Sequence, residues 1–269
     1  MGSDLRTVLH LALERLKNKS GSPQLDAEIL LSHLLSKSRI WIYSNFDLVL
    51  DDLTVDKYMK MIEEREKGRP VFYITGKKAF INFEFKINDR VLIPRPETEE
   101  LVERVVEDSK STGWKTFLDF GCGSGVIAVS IAKLLPESMV WIVDQNNDAL
   151  KLTRENAIKM GVSDRIHLLE TAERQTFDVV ISNPPYLTES EWNRLTDLHE
   201  EPRDALVGGK DGNDVYAQIM KTYNADRFYF EIAHPFRTSL KKLFDDEGFR
   251  YEIIKDLSGR DRIAILHRC

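Results

Sequence analysis

The residues best suited to chemistry are four in a row, Asn183-Pro184-Pro185-Tyr186. The side-chain amide of Asn183 offers a carbonyl oxygen that accepts hydrogen bonds. Because Pro185 restricts the preceding residue to an extended conformation, the carbonyl of Pro184 is held as a second acceptor. Tyr186 adds a ring that stacks on a planar group and attracts a nearby cation. This Asn-Pro-Pro-Tyr motif is typical of a site that orients the hydrogens of a planar amide or amine nitrogen.

The motif alone is also compatible with a plain turn, so its position in the chain matters. The apolar stretch 177–182 is a strand candidate that leads directly into Asn183. In mainly parallel sheets, ligands bind in the crevice outside the carboxyl ends of the strands. This position favours a functional role, and we expect all four residues to bind the acceptor group and to be catalytic.

A glycine-rich segment follows another strand candidate and opens a helix. It reads Gly121-Cys122-Gly123-Ser124-Gly125. Glycines at alternate positions allow a sharp turn and a close approach to a ligand. Free N–H groups at a helix N-terminus attract an anion such as a carboxylate. We call residues 121–125 the glycine loop and expect all five to bind a cofactor.

Two acidic residues near the glycine loop indicate which cofactor to expect. Asp144 follows the glycine loop by roughly 20 residues, the spacing typical of a carboxylate that binds ribose hydroxyls. Asp119 would repel a pyrophosphate but attract the ammonium group of a methionine moiety, and Val126 stands where a dinucleotide motif needs glycine. The pattern favours S-adenosylmethionine over NAD, with Asp119, Asp144 and Asn183 as further cofactor-binding residues. A methyl donor beside a planar nitrogen predicts nitrogen methylation.

The elements that must position these motifs alternate between strand and helix from residue 115 onwards. We expect strands at 115–120, 139–144, 165–169, 177–182, 227–232, 250–256 and 262–267, and helices near 125–135, 147–160, 213–224 and 236–247. Such alternation predicts an α/β fold with a mainly parallel, doubly wound sheet. The last two strands are joined by a loop too short for a parallel crossover, so they must pair as an antiparallel hairpin.

The first part of the chain has a different pattern. Apolar residues recur with helical spacing from residue 4 to about residue 67, with no strand signal between them. We therefore expect three domains: a small N-terminal helical bundle at 1–70, a β-hairpin linker at 71–93 and the sheet domain at 94–269.

Composition excludes some classes of protein. The chain has 269 residues, 38 of them basic and 44 acidic, for a net charge of -6. This balance disfavours non-specific nucleic-acid binding, and no apolar run approaches the roughly 20 residues of a membrane span. Two cysteines favour a reducing, cytoplasmic location. The 6 histidines lack metal-ligand spacing, so no metal is expected.

Further segments resemble the HemK/PrmC family of methyltransferases. These are residues 69–76, 91–99, Glu201-Pro202, residues 208–212 and residues 256–262. The resemblance implies the class I methyltransferase fold and transfer of a methyl group to the glutamine side chain in the Gly-Gly-Gln loop of class 1 peptide chain release factors. It also implies S-adenosylhomocysteine as product and a helical domain that holds the release factor. Residues 170–174 depart from the family by lacking an aromatic residue near the adenine.

The sequence leaves several hypotheses open. Arg95, Glu97 and Thr98 line the cofactor entrance or cap a helix, and Arg260 and Arg262 are expected to be surface charges. The alternative enzyme is a DNA adenine or ribosomal RNA guanine N-methyltransferase, which must flip its base and hold a phosphate backbone. A third reading is a cofactor-binding protein that acts in assembly without catalysis.

Overall fold

A computed structural model describes residues 2–170 and 176–268, and the chain divides into two compact units, Met1–Lys77 and Lys78–Cys269. The helices of the first unit are α1 (Leu5–Leu16), α2 (Pro23–Leu35), α3 (Arg39–Ser44), α4 (Asp52–Glu66) and α5 (Val71–Thr75). Two short strands, β1 (Ser3–Asp4) and β2 (Val49–Leu50), pair antiparallel, although no strand was expected among these helices. Among the described residues, no helix is both long and apolar enough to cross a membrane.

The segment after residue 70 is helical, which corrects the predicted hairpin at 71–93. Val71–Thr75 has high β-propensity residues, but it forms α5, which ends at Gly76 in the left-handed conformation (φ 67°). Val71 is buried among the apolar residues of the helical unit, and this burial outweighs the local preference. The hairpin itself is β3 (Lys77–Phe80) and β4 (Phe83–Lys86).

The hairpin packs into the core of the second unit. Phe80 and Phe85 are almost fully buried, with ring centroids 6.0 Å apart in an edge-to-face arrangement. They share one apolar cluster with residues such as Val105 and Phe117. The segment predicted as a linker is therefore divided between the two units.

Within the described part of the second unit, seven strands form one sheet in the order β10-β11-β9-β8-β5-β6-β7. The strands are β5 (Thr116–Phe120), β6 (Met139–Val143), β7 (Ile166–Leu168), β8 (Thr176–Ser182), β9 (Asn224–Glu231), β10 (Phe249–Lys255) and β11 (Asp261–Arg268). The strands β5–β9 pair in parallel, and β11 pairs antiparallel with both β9 and β10. The predicted α/β fold with a C-terminal antiparallel hairpin is confirmed.

Helices cover both faces of this sheet. They are α6 (Pro96–Thr112), α7 (Val126–Leu134), α8 (Asn147–Met160), α9 (Glu189–Trp192), α10 (Asp214–Thr222) and α11 (Thr238–Asp246). One apolar cluster includes residues of α6 and α7, and a second includes residues of α10 and α11. The connections leave β5 towards β6 and β7 and then return to β8 on its other side, so a crevice opens where these directions diverge.

Candidate active site

The two motifs lie at the same edge of the sheet because β5 and β8 are neighbours in parallel. Asp119 of β5 is aligned with Ile181 of β8. One residue further on, the Ser182 hydroxyl donates to the carbonyl of Phe120 at 2.7 Å. The glycine loop and the Asn-Pro-Pro-Tyr motif therefore begin on either side of one hydrogen bond, at the carboxyl ends of the strands.

The glycine loop makes most of its polar contacts with the protein itself. The N–H groups of Gly121 and Cys122 donate to the carbonyl of Val143 at 2.7 and 3.2 Å, and that of Gly125 donates to the Cys122 carbonyl at 2.7 Å. The three glycines have φ values of 77°, 56° and 81°, in the left-handed region that disfavours other residues. Gly121 is exposed, and a Cβ added there would meet nothing within 4 Å. This face of the loop is open to a ligand.

Helix α8 supports the glycine loop from behind. The Thr153 hydroxyl donates to the Gly123 carbonyl at 3.1 Å, and a Cβ at Gly125 would come within 2.8 Å of the Thr153 side chain. The fully buried amide of Asn156 donates to the Ser124 carbonyl at 2.8 Å and also binds the main chain of Lys86 in β4. Sequence reasoning missed both side chains, although their polarity on the buried face of a helix is a usable signal.

Asp144 lies just beyond the end of β6, half-buried beside the glycine loop. Its carboxylate accepts hydrogen bonds from the N–H groups of Gly123 at 2.9 Å and Asn146 at 2.8 Å. Burial raises the pKa of this carboxyl above its ordinary value, although both N–H groups act in the opposite direction. A carboxylate fixed in this way has lone pairs left to accept from ribose hydroxyls.

Asp119 lies beneath the glycine loop and not on its open face. Its side chain is fully buried, and Oδ2 accepts from the N–H of Ala128 at 3.0 Å. The anion at the N-terminus of α7 is therefore one of the protein's own residues. Oδ1 has no partner among the described residues, and burial raises the pKa of Asp119 to about 7. An ammonium group would satisfy this oxygen, but it reaches Asp119 only if the loop shifts.

Cys122 and Ser124 are also turned away from the open face, with 4% and 2% of their surface exposed. The Cys122 thiol lies 3.4 Å from the Thr153 hydroxyl, and burial raises the pKa of the thiol well above the ordinary value. Because the backbone N–H and carbonyl of Cys122 both bond within the fold, the expected backbone contact with a cofactor stays a prediction.

The Asn-Pro-Pro-Tyr motif leaves its two predicted acceptors free. The Asn183 side chain is half-buried and its Nδ2 donates to the hydroxyl of Thr98 at 3.2 Å. Across the described ranges, neither Asn183 Oδ1 nor the carbonyl of the buried Pro184 accepts a hydrogen bond. These are the two oxygens that would receive the hydrogens of a planar nitrogen.

The backbone on the far side of the motif is held by close packing with a second glycine-rich segment, residues 208–212. A Cβ at Gly208 would lie 2.1 Å from the carbonyl oxygen of Pro185, and one at Gly212 would lie 2.3 Å from that of Tyr186. No side chain fits at either position. The similarity of these glycines to a family pattern thus has a physical reason: the two loops touch through their backbones.

An arginine completes this support. The Arg237 guanidinium donates to the carbonyl of Tyr186 at 2.6 Å and forms an ion pair with Glu191 at 2.7 Å. Glu191 also belongs to a capping box with Thr188 at the start of α9. The carbonyl of Tyr186 is consequently fixed, and the peptide chain cannot rotate freely beyond the motif.

The ring of Tyr186 packs between two apolar clusters, which limits its freedom to rotate. Burial raises the pKa of its hydroxyl to about 12, and the negative charge of Glu231 adds to this effect. Tyr186 therefore stays neutral at physiological pH and offers a ring face and not a charge.

Two ion pairs concern segments that the sequence singled out, one between distant segments and one within the C-terminal hairpin. Arg95 donates to Glu201 at 2.6 Å, and the other oxygen of Glu201 accepts from the N–H of Ile93 at 3.1 Å. Arg262 is 9% exposed and binds Asp256 at 3.2 Å, so the prediction that it is a surface charge was wrong. A buried guanidinium needs such a partner, and Asp256 of the same hairpin supplies it, but the sequence alone did not show that this pair is buried. Arg260 is exposed as expected.

Residues 171–175 include most of the segment 170–174, in which the sequence lacks an aromatic residue near the adenine. They lie outside the described residues. Within residues 2–170 and 176–268, no group of three or more His, Cys, Asp or Glu side chains could hold a metal ion.

Two family models match this chain. The PrmC N-terminal domain matches residues 7–76, and the Methyltransferase small domain matches residues 98–209. The first match covers nearly all of the helical unit and the second includes both motifs of the site.

Several relatives align over most of their length. The release factor glutamine methyltransferase of Rhodopirellula baltica is 36% identical over 94% of this chain and 92% of its own. Those of Clostridium botulinum and Aquifex aeolicus are 35% and 33% identical, over 92% and 95% of this chain and 93% and 95% of theirs.

A solved structure of the hMettl16 catalytic domain in complex with the MAT2A 3'UTR hairpin 6 aligns with a TM-score of 0.54 and 14% identity. It covers 82% of this chain and 84% of the other, and it shows the fold alone.

Proposed function

Because this chain belongs to the release factor glutamine methyltransferase family, we propose that it methylates the side-chain amide nitrogen of the glutamine in the Gly-Gly-Gln loop of class 1 peptide chain release factors. The methyl donor in this proposal is S-adenosylmethionine and the product is S-adenosylhomocysteine. One observation carries the assignment. Two unpaired oxygens, of Asn183 and Pro184, stand at the end of β8 beside the glycine loop.

The glycine loop and its acidic neighbours fit S-adenosylmethionine. Asp144 offers a fixed carboxylate for ribose hydroxyls, and the open face of Gly121 permits close approach of a ligand. The unpartnered oxygen of Asp119 would suit an ammonium donor, but it is fully buried beneath the loop, so Asp144 is the carboxylate that a cofactor on the open face meets. When bound, S-adenosylmethionine supplies an electrophilic methyl group on a sulfonium.

The Asn-Pro-Pro-Tyr motif addresses the main difficulty of the reaction, which is the poor nucleophilicity of an amide nitrogen. Its lone pair is delocalised into the carbonyl, so both N–H groups must be held and the lone pair turned towards the methyl group. Asn183 Oδ1 and the Pro184 carbonyl accept the two hydrogens, and the ring of Tyr186 stacks on the amide plane. The nitrogen loses its proton after attack, so the chain needs no strong base before transfer.

The helical unit supplies the proposed contact with the body of the release factor. Its surface carries apolar side chains that the unit's own core does not use, including Ile40 at 79% and Leu53 at 64% exposure. Such residues mark a protein interface where they form a contiguous patch, whereas single ones occur on any surface, so the test uses a single substitution. An Ile40→Ser enzyme should show a raised KM for whole release factor and an unchanged KM for a Gly-Gly-Gln peptide. Equal changes with both substrates would contradict this role.

Mass spectrometry tests the central proposal. The protein is incubated with isotope-labelled S-adenosylmethionine and a class 1 release factor, which is then digested. We expect one methyl group on the glutamine of the Gly-Gly-Gln loop, and none on a release factor whose loop glutamine is replaced by alanine. Parallel reactions contain duplex DNA or ribosomal RNA. Methyl transfer to either nucleic acid, with none to the release factor, would overturn the proposal.

A further inference from the structure

Three side chains from distant parts of the second unit form a hydrogen-bonded row behind the Asn-Pro-Pro-Tyr motif. Glu231, at the end of β9, accepts from the hydroxyl of Thr98 at 2.7 Å. The same hydroxyl oxygen accepts from Asn183 Nδ2 at 3.2 Å. Glu231 and Thr98 are only 1% and 2% exposed, so water does not compete for these bonds.

The chemistry of the three groups fixes the direction of the row. When Glu231 is ionised, its carboxylate only accepts hydrogen bonds, so the single hydroxyl proton of Thr98 points towards Glu231. The remaining lone pairs of that hydroxyl can only accept, and they select the NH2 end of the Asn183 carboxamide. The carbonyl end of Asn183 is thereby turned away from Thr98. Without this row, the two ends of an amide differ little in shape and can exchange places.

We propose that Thr98 and Glu231 are positioning residues that keep the Asn183 carbonyl facing the nitrogen to be methylated. The inference rests on the proposed function, because it assumes that the substrate donates its N–H groups to this carbonyl. A reversed Asn183 would present its own N–H groups to those of the substrate, and the acceptor would be lost.

Neighbouring groups hold Glu231 in its place. The hydroxyl of Tyr216 donates to the backbone carbonyl of Glu231 at 2.7 Å. Burial raises the pKa of the Glu231 carboxyl to about 7, while the hydrogen bond from Thr98 and the positive charge of Arg262 favour its ionised form, which therefore predominates above neutral pH. The row is thus anchored at its carboxylate end by strand β11 and helix α10, neither of which belongs to the two sequence motifs.

Thr98→Val tests the row, because valine has a similar shape and no hydroxyl. We expect kcat on a Gly-Gly-Gln substrate to fall roughly 10- to 100-fold, as for a misplaced reacting group, with little change in the dissociation constant of S-adenosylmethionine. Thr98→Ser should recover most of this loss, since serine retains the hydroxyl. Ser109→Ala is the matched control, because Ser109 is also buried on α6 but its hydroxyl donates within the same helix, to the carbonyl of Val105.

A spectroscopic readout separates positioning from general loss of structure. In ¹⁵N-labelled protein, the side-chain NH2 signals of Asn183 are identified by their loss in Asn183→Ala. Thr98→Val and Glu231→Gln should both shift these signals, and Ser109→Ala should leave them in place.

The outcomes distinguish this inference from the proposed function. Normal kcat and unchanged Asn183 signals in Thr98→Val would overturn the row. A wild-type protein that methylates no release factor would overturn the function, while the NMR shifts would still report on the row. Equal loss in Thr98→Val and Thr98→Ser would contradict the role of the hydroxyl.

Discussion

The glycine loop and the Asn-Pro-Pro-Tyr motif begin at neighbouring strands, yet the chain supports them differently. The glycine loop is held by the strand and helix that follow it in the chain: Val143 and α8 receive or donate most of its hydrogen bonds. The Asn-Pro-Pro-Tyr motif is held by Gly208, at a similar separation along the chain, and also by Thr98 and Arg237, which are 85 and 51 residues from the positions they bind. The cofactor site therefore depends on the two elements that follow it, whereas the acceptor site also needs segments from far before and far after it in the chain.

The largest expected effect comes from removing the central acceptor in Asn183→Ala. Catalysis should lose about 2–4 kcal/mol, because one preorganised hydrogen-bond partner of the reacting nitrogen is absent. Cofactor affinity, measured by isothermal titration, should change little. Near wild-type turnover, or an equally large loss of cofactor affinity, would break the distinction between the two regions.

Gly208→Ala tests whether remote support matters for the acceptor site. The new methyl group would lie 2.1 Å from the Pro185 carbonyl, so the motif must move, and a displacement of this kind lowers kcat roughly 100-fold. Gly21→Ala is the control, since a Cβ there meets nothing within 4 Å. Equal turnover of the two variants would show that the motif does not depend on residues 208–212.

Asp144→Asn should act on the cofactor and not on the acceptor. Replacing a charged acceptor by a neutral one weakens its hydrogen bonds, and we expect a loss of about 1.5 kcal/mol in S-adenosylmethionine binding. Turnover at saturating cofactor should fall much less. If kcat fell as far as in Asn183→Ala, the two regions could not be treated as separable.

The smallest effect concerns stability and sharpens the description of the glycine loop. The pKa of buried Asp119 is raised to about 7 from 3.8, so the folded protein holds a proton that the unfolded chain releases between these values. The free energy of unfolding therefore falls as pH rises through this window. Asp119→Asn removes that loss, and it should raise the stability of the ligand-free protein by on the order of 1 kcal/mol at pH 8.

Thermal unfolding of wild type and Asp119→Asn over this range checks the sign. The advantage of the variant should shrink as pH falls from about 7 and should vanish below pH 3.8, where Asp119 is protonated in both states. An advantage that grows at low pH would contradict a buried, proton-binding Asp119.

The sequence predicted the parts of the fold that depend on local pattern. The alternation of strands and helices, the antiparallel pairing of β10 and β11, and the edge reached by both motifs follow from periodicity and loop length. Two parts of the fold were not predicted: the short pair β1 and β2, and Val71–Thr75, where burial in the helical unit overrode β propensity. This burial depends on residues far away in the chain, so the segment alone could not reveal it.

Prediction of the site was limited in the same way. Asp144 and Asn183 could be recognised because each follows a strand beside a conspicuous neighbour. The roles of Thr98 and Glu231 could not, because 133 residues separate them and only the folded sheet brings them together. Arg262 looked like a surface charge for a different reason: its partner Asp256 is only six residues away, but the sequence did not show that the pair is buried. A buried polar residue becomes interpretable only when its partner is known.

The hydrogen bond from Ser182 to Phe120 has a consequence for the spacing between the two sites. It joins the last residue of β5 to the last residue of β8. The glycine loop and the Asn-Pro-Pro-Tyr motif therefore start one interstrand spacing apart, about 4.8 Å. That separation is a property of a hydrogen-bonded sheet, which stretches far less than loops do. Substitutions in the loops can alter which groups each site binds, but the paired strands keep the starting points of the two motifs at a fixed separation.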